Sequence, residues 1–254
     1  MADAKITFYD IDYKTKRIDF GSFKRNYHPG KTAVVIINSP GNPIGNFVTK
    51  EEVLEIYKIV DGRSFIFNDE IYNNVCFYNE FECPLSYIED KYKDVTIITN
   101  GFSKGFRMYT KRVGYAILPE QLIMPMRIIQ QHTLLTADPV NQWGMIEALK
   151  HLESPYELKC TYRDRAEYTF ETLSNTGCNP IKSEGGFYIV LDCEDWIKKH
   201  NMESSKELAK DILQKVYVGT VPGTDFGCPN GLRLSFCSSR YNEAIDRLYD
   251  YFTS

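Results

Sequence analysis

Residues 100–115 contain a serine, a lysine and an arginine at a spacing that could do chemistry. Ser103 and Lys104 follow the apolar run at 95–99, and Arg112 comes eight residues after Lys104. The apolar run is typical of a buried strand, so Lys104 follows the carboxyl end of that strand. A lysine amine is a nucleophile toward carbonyl groups. The stretch therefore predicts a site that presents Lys104 to an aldehyde.

Two earlier apolar runs also end in polar residues. The run at 33–37 leads into a loop rich in turn formers that holds Asn42, and the run at 64–67 leads to Asp69 and Tyr72. Between these runs, Thr49 and Glu52 have the spacing of a capping box at the start of a helix. The order strand, helix, strand, strand predicts an α/β domain with a mainly parallel sheet.

The predicted sheet brings these polar residues together. Ligands of open parallel sheets bind outside the carboxyl ends of the strands. We therefore expect one edge of the sheet to carry five of these side chains: Asn42, Asp69, Tyr72, Ser103 and Lys104. Arg112 lies on the same side if the strand that it opens runs antiparallel to its neighbour.

The second half of the chain has a different pattern. Helical periodicity begins after Pro119, and a long polar helix is predicted over 156–173. Strands are predicted at 185–191, 216–221 and 232–236, with a helix that begins near Ser204 and a last helix from Tyr241. We expect a further strand at 6–12, followed by a polar loop with a turn signal at His28-Pro29-Gly30. The predicted domains are an incomplete large domain at 1–135, connecting helices at 136–175 and a small α+β domain at 176–254.

The composition excludes several classes of protein. The 254 residues are 43% hydrophobic and 25% charged with a net charge of −4, which is ordinary for a globular protein and gives no support for nucleic-acid binding. No run is apolar enough for a membrane span. Seven scattered cysteines predict reduced thiols and a cytoplasmic location. No Cys or His spacing predicts a metal site.

Four motifs together resemble those of a known family. They are Asn-x-Pro-x-Asn-Pro-x-Gly at 38–45, Asp-Glu-x-Tyr at 69–72, Ser-Lys with the later arginine at 103–112, and Gly-Leu-Arg-Leu-Ser-Phe at 231–236. In this order they resemble the class I/II aminotransferases, which are pyridoxal 5'-phosphate (PLP) enzymes of the aspartate aminotransferase fold, or fold type I. The resemblance implies that fold, with PLP as cofactor.

The resemblance also implies how the cofactor is held. Asp69 would pair with the protonated pyridine nitrogen, which makes the ring an electron sink. Tyr72 and Asn42 would donate to the phenolate oxygen. Ser103 and Arg112 would bind the phosphate. The alternative for each of these residues is an ordinary structural role, such as a turn cap, a packed ring or a surface ion pair.

The chemistry falls to two further residues. The resemblance implies that Lys104 forms the internal Schiff base and, once displaced by the substrate amine, moves the proton from Cα to C4′ of the cofactor. Arg233, together with Asn42, would bind the substrate, with its guanidinium on the α-carboxylate. The implied reaction transfers an amino group from an α-amino acid to a 2-oxo acid, and we expect a homodimer. A solvated surface lysine is the alternative for Lys104.

Other functions stay open. The same site serves PLP lyases of this fold, and the family's N-terminal portion, with its phosphate loop and ring-stacking aromatic, has no counterpart ahead of residue 38. We therefore expect a fragment, a chain that another chain completes, or a natural truncation. In that case an inactive aminotransferase-like binding or interaction module is the second hypothesis. A nucleotide-binding domain lacks its motifs here.

Overall fold

The computed structural model describes residues 3–254, which divide into two compact units. Unit 1 comprises the chain up to Ser39, then Phe47–Asn74 and Glu80–Pro155. Unit 2 comprises Pro40–Asn46, Val75–Asn79 and Tyr156–Ser254. The domain boundaries predicted from the sequence stay a prediction.

Both units contain helices and strands. The helices are α1 (Phe20–Asn26), α2 (Lys50–Val60), α3 (Glu120–Thr133), α4 (Pro139–Ala148), α5 (Glu153–Leu173), α6 (Glu194–Lys199), α7 (Ser205–Val216) and α8 (Tyr241–Thr253). The strands are β1 (Val34–Asn38), β2 (Phe65–Asp69), β3 (Thr96–Gly101), β4 (Gly114–Ile117), β5 (Asn179–Ile181), β6 (Tyr188–Asp192), β7 (Val221–Pro222) and β8 (Gly231–Ser235).

The sheet of unit 1 has the order β1-β2-β3-β4. Its first three strands are parallel, and β4 is antiparallel to β3. The carboxyl ends of β1, β2 and β3 therefore meet at one edge, as the sequence predicts. This topology confirms an α/β fold with a mainly parallel sheet.

Helix α2 supports this sheet. Its predicted capping box is present, since the Thr49 hydroxyl accepts from Glu52 N–H and the Glu52 carboxylate accepts from Thr49 N–H. Val53, Ile56 and Tyr57 are buried on the inner face of the helix and pack in one core with residues of β1 and β2. Apolar burial of this kind contributes roughly 2 kcal/mol per large side chain, so α2 fixes the strands whose ends carry the polar residues.

Other parts of unit 1 leave apolar side chains exposed. All four residues of β4 are exposed, and helix α3 has no buried residue among those described. Trp143 of α4 is 72% exposed. We call the exposed apolar side chains of α3 and α4 the open apolar surface. Its members are Ile123, Met124, Met126, Ile128, Ile129, Val140, Trp143 and Ile146.

Unit 2 is built on a second sheet with the order β5-β6-β8-β7, and all of its strand pairs are antiparallel. Leu208 and Ile212 of α7 and Ile245 and Leu248 of α8 are buried. Helix α7 begins after Ser204, as predicted, but the Ser204 side chain makes no capping bond. Unit 2 is thus a small α+β body.

Three sequence-based expectations about the elements were wrong. Residues 6–12 form no strand, because Ile6 and Phe8 lie 74% and 78% exposed and only an isolated bridge joins Ile11 to Ile18. The strand predicted at 216–221 shrinks to β7, because α7 continues to Val216. The loop expected before His28 contains α1, whose start Asp19 caps by accepting from Ser22 N–H.

Two kinds of feature are missing from residues 3–254. None of their helices is both long and apolar enough to cross a bilayer. In the same part of the chain, no three His, Cys, Asp or Glu side chains form a group that could hold a metal ion. All seven cysteines are free thiols.

Candidate active site

Asp69 ends β2 and is held by its two neighbouring strands. Asn38, its partner in the β1 register, donates from Nδ2 to Asp69 Oδ2 at 3.2 Å. The N–H of Ile71 donates to Asp69 Oδ1 at 3.3 Å. Burial raises the pKa of Asp69, while the bonds from the Ile71 N–H and the Thr99 side chain oppose that rise. These hydrogen bonds orient the carboxylate. No cation among the described residues lowers its pKa.

Lys104 contacts the ring of Tyr72, which follows the same strand, β2, as Asp69. Tyr72 is only 5% exposed, and Lys104 Nζ lies 5.6 Å from the centre of its ring. The turn that carries the lysine is closed by Arg107 N–H, which donates to Lys104 O at 2.9 Å. A Cβ at Gly105 would lie 2.9 Å from the Asn74 side chain, so the turn packs closely on the segment after β2. The local backbone therefore fixes Lys104 over Tyr72.

Ser103 follows β3 and Arg112 precedes β4, so both residues lie just beyond the end of the β3–β4 ladder. The register pairs Gly101 with Gly114, and Phe102 N–H donates to Val113 O. Arg112 has a φ of 55°, in the left-handed region that non-glycine residues seldom occupy. The antiparallel direction of β4 meets the condition under which Arg112 was expected on the same side as Lys104.

The remaining two predicted site residues lie together in unit 2. Arg233, in β8, donates from Nη1 to Asn42 Oδ1 at 3.0 Å. Its guanidinium also lies between two aromatic rings, with Cζ 4.2 Å from the centre of Tyr188 and 4.3 Å from that of Phe226. Asn42 and Arg233 thus form a polar pair within unit 2.

Four residues of these groups were missed from the sequence. Asn38 and Thr99 hold Asp69, while Tyr188 and Phe226 flank Arg233. Asn38 and Thr99 could have been found, since a parallel register sets polar strand-end residues beside one another. Nothing local marks Phe226, which is brought to Arg233 only by the fold of unit 2.

A mainly parallel sheet whose neighbouring strands β2 and β3 lead to Asp69 and Lys104, in a chain that also contains an antiparallel α+β unit, is the architecture of PLP-dependent transferases of fold type I. The family model "Aminotransferase class I and II" matches residues 1–252. The chain therefore belongs to the class I and II aminotransferases, a family that uses PLP.

Curated relatives and solved structures agree with this. The chain is similar to the aspartate aminotransferase of Bacillus sp. (strain YM-2), with 32% identity over 88% of this chain and 58% of the relative. It is also similar to the probable aspartate/prephenate aminotransferase of Aquifex aeolicus (strain VF5), with 32% identity over 86% of this chain and 57% of the relative. The crystal structure of the Thermotoga maritima aspartate aminotransferase superposes with a TM-score of 0.86 at 29% identity, over 98% of this chain and 64% of that chain. This chain thus spans less than two thirds of the length of these proteins.

The described residues fit PLP. Asp69 is a part-buried carboxylate with a raised pKa, which the positive charge of a protonated ring nitrogen would relieve. Lys104 offers a primary amine held over a buried aromatic ring. Ser103 and Arg112 offer a hydroxyl and a guanidinium, the donors that phosphate prefers.

Proposed function

We propose that this chain is the catalytic part of a PLP-dependent aminotransferase, which transfers an amino group from an α-amino acid to a 2-oxo acid. The observation that carries the proposal is the placement of Lys104 Nζ over the Tyr72 ring, on the strand end next to that of Asp69. The cofactor, when bound, supplies an electron sink that stabilises negative charge at the substrate Cα.

The residues of unit 1 would divide the work. Asp69 would hold the ring nitrogen in its protonated form, Tyr72 would donate to the ring oxygen, and Ser103 and Arg112 would bind the phosphate. Lys104 would attach the cofactor and, when its amine is free, take up the proton from the substrate Cα. The rigid β2–β3 pairing keeps these groups in place between steps.

Unit 2 would supply recognition of the substrate. Arg233 would bind the α-carboxylate, and Asn42, which accepts from Nη1, would keep the guanidinium in one orientation. Asn42 is also our proposed donor to the cofactor oxygen. The relatives are named for aspartate, so aspartate is the first amino acid to test.

One experiment tests attachment of the cofactor. The purified chain is mixed with PLP, reduced with borohydride and digested. The masses of its peptides are then measured by mass spectrometry. We expect the mass of one reduced PLP on the Lys104 peptide, none on Lys104→Ala, and full labelling of Lys111→Ala, which removes a neighbouring lysine as control. Labelling that survives Lys104→Ala would overturn the role of Lys104.

The product then separates reaction types. A transaminase converts aspartate to its 2-oxo acid only when a second 2-oxo acid accepts the amino group. A lyase releases product without an acceptor. We expect turnover to require the acceptor, and acceptor-independent release would favour the lyase.

A second candidate is a binding module without activity. It predicts labelling at Lys104 or none, and in either case no turnover of any amino acid in a panel of twenty. Turnover that depends on Lys104 would exclude it.

We also propose a homodimer in the cytoplasm. The open apolar surface on α3 and α4 supports the dimer, since exposed apolar side chains are often covered by a partner. The seven free thiols support the cytoplasm. Light scattering on a sizing column tests the dimer. We expect Trp143→Lys to yield monomer and Tyr217→Lys, an equally exposed aromatic of unit 2, to leave the dimer unchanged.

A further inference from the structure

We propose that Tyr188 and Phe226 are positioning residues, which hold the Arg233 guanidinium in one plane so that it is ready for a substrate carboxylate. The inference rests on the role proposed for Arg233 and adds two residues to it. All three side chains belong to unit 2. The guanidinium carbon lies 4.2 Å from the centre of one ring and 4.3 Å from the other.

The sheet places Tyr188. Strand β6 pairs with β8 so that Val190 lies opposite Arg233 and Tyr188 lies opposite Ser235. Tyr188 and Arg233 are therefore diagonal neighbours on one face of the sheet, a separation that a tyrosine ring and an arginine can bridge. The sheet register alone brings one ring to the guanidinium.

A tight turn places Phe226 on the other side. Strand β7 pairs Val221 with Arg233, and the chain then enters the 3₁₀ turn Gly223–Phe226. A Cβ at Gly223 would lie 2.1 Å from the Cys228 carbonyl oxygen, so only glycine permits this turn to close. The closed turn brings the Phe226 ring next to Arg233, which pairs with Val221 of β7.

The charge of Arg233 is left available by this arrangement. Within residues 3–254, Arg233 forms no ion pair with a carboxylate, and its one hydrogen bond is to the neutral amide oxygen of Asn42. Its Nε is buried and has no partner in that part of the chain. Unpaired buried donors are unfavourable, so something else must keep the guanidinium in place. Two ring faces do so, because aromatic faces attract cations.

The consequence is a guanidinium that loses little freedom when a carboxylate binds. A free arginine side chain gives up rotamer entropy on forming a two-bond pair, and prior ordering removes that cost. Removing a ring should therefore weaken carboxylate binding while leaving the cofactor site of unit 1 intact.

The test measures binding of maleate, a simple dicarboxylate, by calorimetry. We expect Phe226→Leu and Tyr188→Leu each to weaken maleate binding by about three- to tenfold. Phe226→Tyr and Tyr188→Phe keep a ring and should restore the wild-type affinity. Phe170→Leu, a change of the same type on helix α5, should have no effect.

A second readout follows the guanidinium itself. The ¹⁵Nε–H resonance of Arg233, assigned by its loss in Arg233→Lys, should move and exchange faster with water in Phe226→Leu, since ring shielding and packing are removed. The same shift in Phe226→Tyr, or unchanged maleate affinity and an unmoved resonance in both Leu variants, would overturn the inference. A wild-type chain that binds no maleate would overturn it as well.

Failure of this inference differs from failure of the proposed function. Borohydride labelling of Lys104 depends on unit 1 and should be equal in the wild type and in all four ring variants. If Lys104 is labelled but maleate affinity is unchanged in both Leu variants, only the positioning role is refuted. Absent labelling with ring-dependent maleate binding refutes only the cofactor chemistry.

Discussion

Oδ1 of Asn42 accepts a hydrogen bond of 3.0 Å from Nη1 of Arg233, across 191 positions of the chain. The partner of the arginine is thus a neutral amide. A carboxylate in the same place would form a charge-assisted pair and occupy the cation. The choice of asparagine orients the guanidinium and leaves its charge for a ligand.

Replacing that amide with an acid should therefore inhibit carboxylate binding. We expect Asn42→Asp to weaken maleate binding by roughly tenfold or more, because the new carboxylate pairs with Arg233 at the same distance. Asn42→Ala removes the orienting bond without adding a charge and should cost less, about two- to fivefold. Calorimetry on the three proteins checks the order, and an alanine variant weaker than the aspartate variant would contradict it.

The charge of Asp69 should lower the stability of the folded protein in the absence of cofactor. Burial raises its pKa, which means that the folded state resists its negative charge at neutral pH. Asp69→Asn removes the charge and keeps an acceptor for Ile71 N–H. We expect the melting temperature without PLP to rise by about 2–4 °C per kcal/mol gained.

The same variant should lose the benefit of the cofactor. With Asp69 as the proposed partner of the ring nitrogen, the rise in melting temperature on adding PLP should shrink in Asp69→Asn. Asn38→Ala serves as control, since it loosens the carboxylate without removing the charge. An unchanged response to PLP in Asp69→Asn would rule out Asp69 as the partner of the ring.

Much of unit 1 could be predicted from the sequence. The β-branched run at β1 and the capping box at Thr49 are local signals, and parallel topology then places Asp69 and Lys104 on neighbouring strand ends. The direction of β4 was the only condition on Arg112, and the antiparallel pairing meets it. Local patterns suffice where each element is buried against its sequence neighbours.

The rest depends on contacts between distant segments. Ile6 and Phe8 alternate like a strand, yet no described strand pairs with them. Asn42 was expected at a strand end because it follows β1, whereas its bond to Arg233 joins residues 191 positions apart, which no local pattern predicts. The Arg233 rings come from a cross-strand register and a glycine turn, which periodicity does not encode.

Glu70 should make stability depend on pH. It is 4% exposed, and burial raises its pKa from 4.5 to about 7, with a smaller rise from Asp69 and an opposing bond to Cys83. Between these two pKa values the folded state holds a proton that the unfolded state has lost. Stability from this group is therefore full below pH 4.5 and is lost as the pH rises to about 7, by roughly 2–3 kcal/mol.

Urea unfolding between pH 5 and 8 measures this effect. We expect the free energy of unfolding of Glu70→Gln to change less with pH over that range than that of the wild type, because glutamine never ionises. The variant should also be more stable than the wild type at pH 8. Glu80→Gln, which neutralises a nearby acid for which no such burial holds, should keep the wild-type slope. Parallel curves for the wild type and Glu70→Gln would show that Glu70 titrates normally.

Gly45 should be the least replaceable glycine of the Asn42 loop. Its φ is 65°, and a Cβ there would lie 1.9 Å from Ser183 Oγ and 2.5 Å from Gly185 O. Ser183 is fully buried and bonded to Gly185 O, so neither atom can retreat. Gly45→Ala should cost about 3 kcal/mol, from the left-handed backbone and the overlap together.

Gly62 provides the matched control, because its φ is 71° and nothing lies within 4 Å of an added Cβ. Gly62→Ala should cost only the backbone part, about 1 kcal/mol. Urea unfolding of both variants separates strain from overlap. Gly45→Ala should also weaken maleate binding, since it displaces the loop that carries Asn42, whereas Gly62→Ala should bind maleate like the wild type. Equal losses of stability in the two variants would show that the Ser183 contact is not rigid.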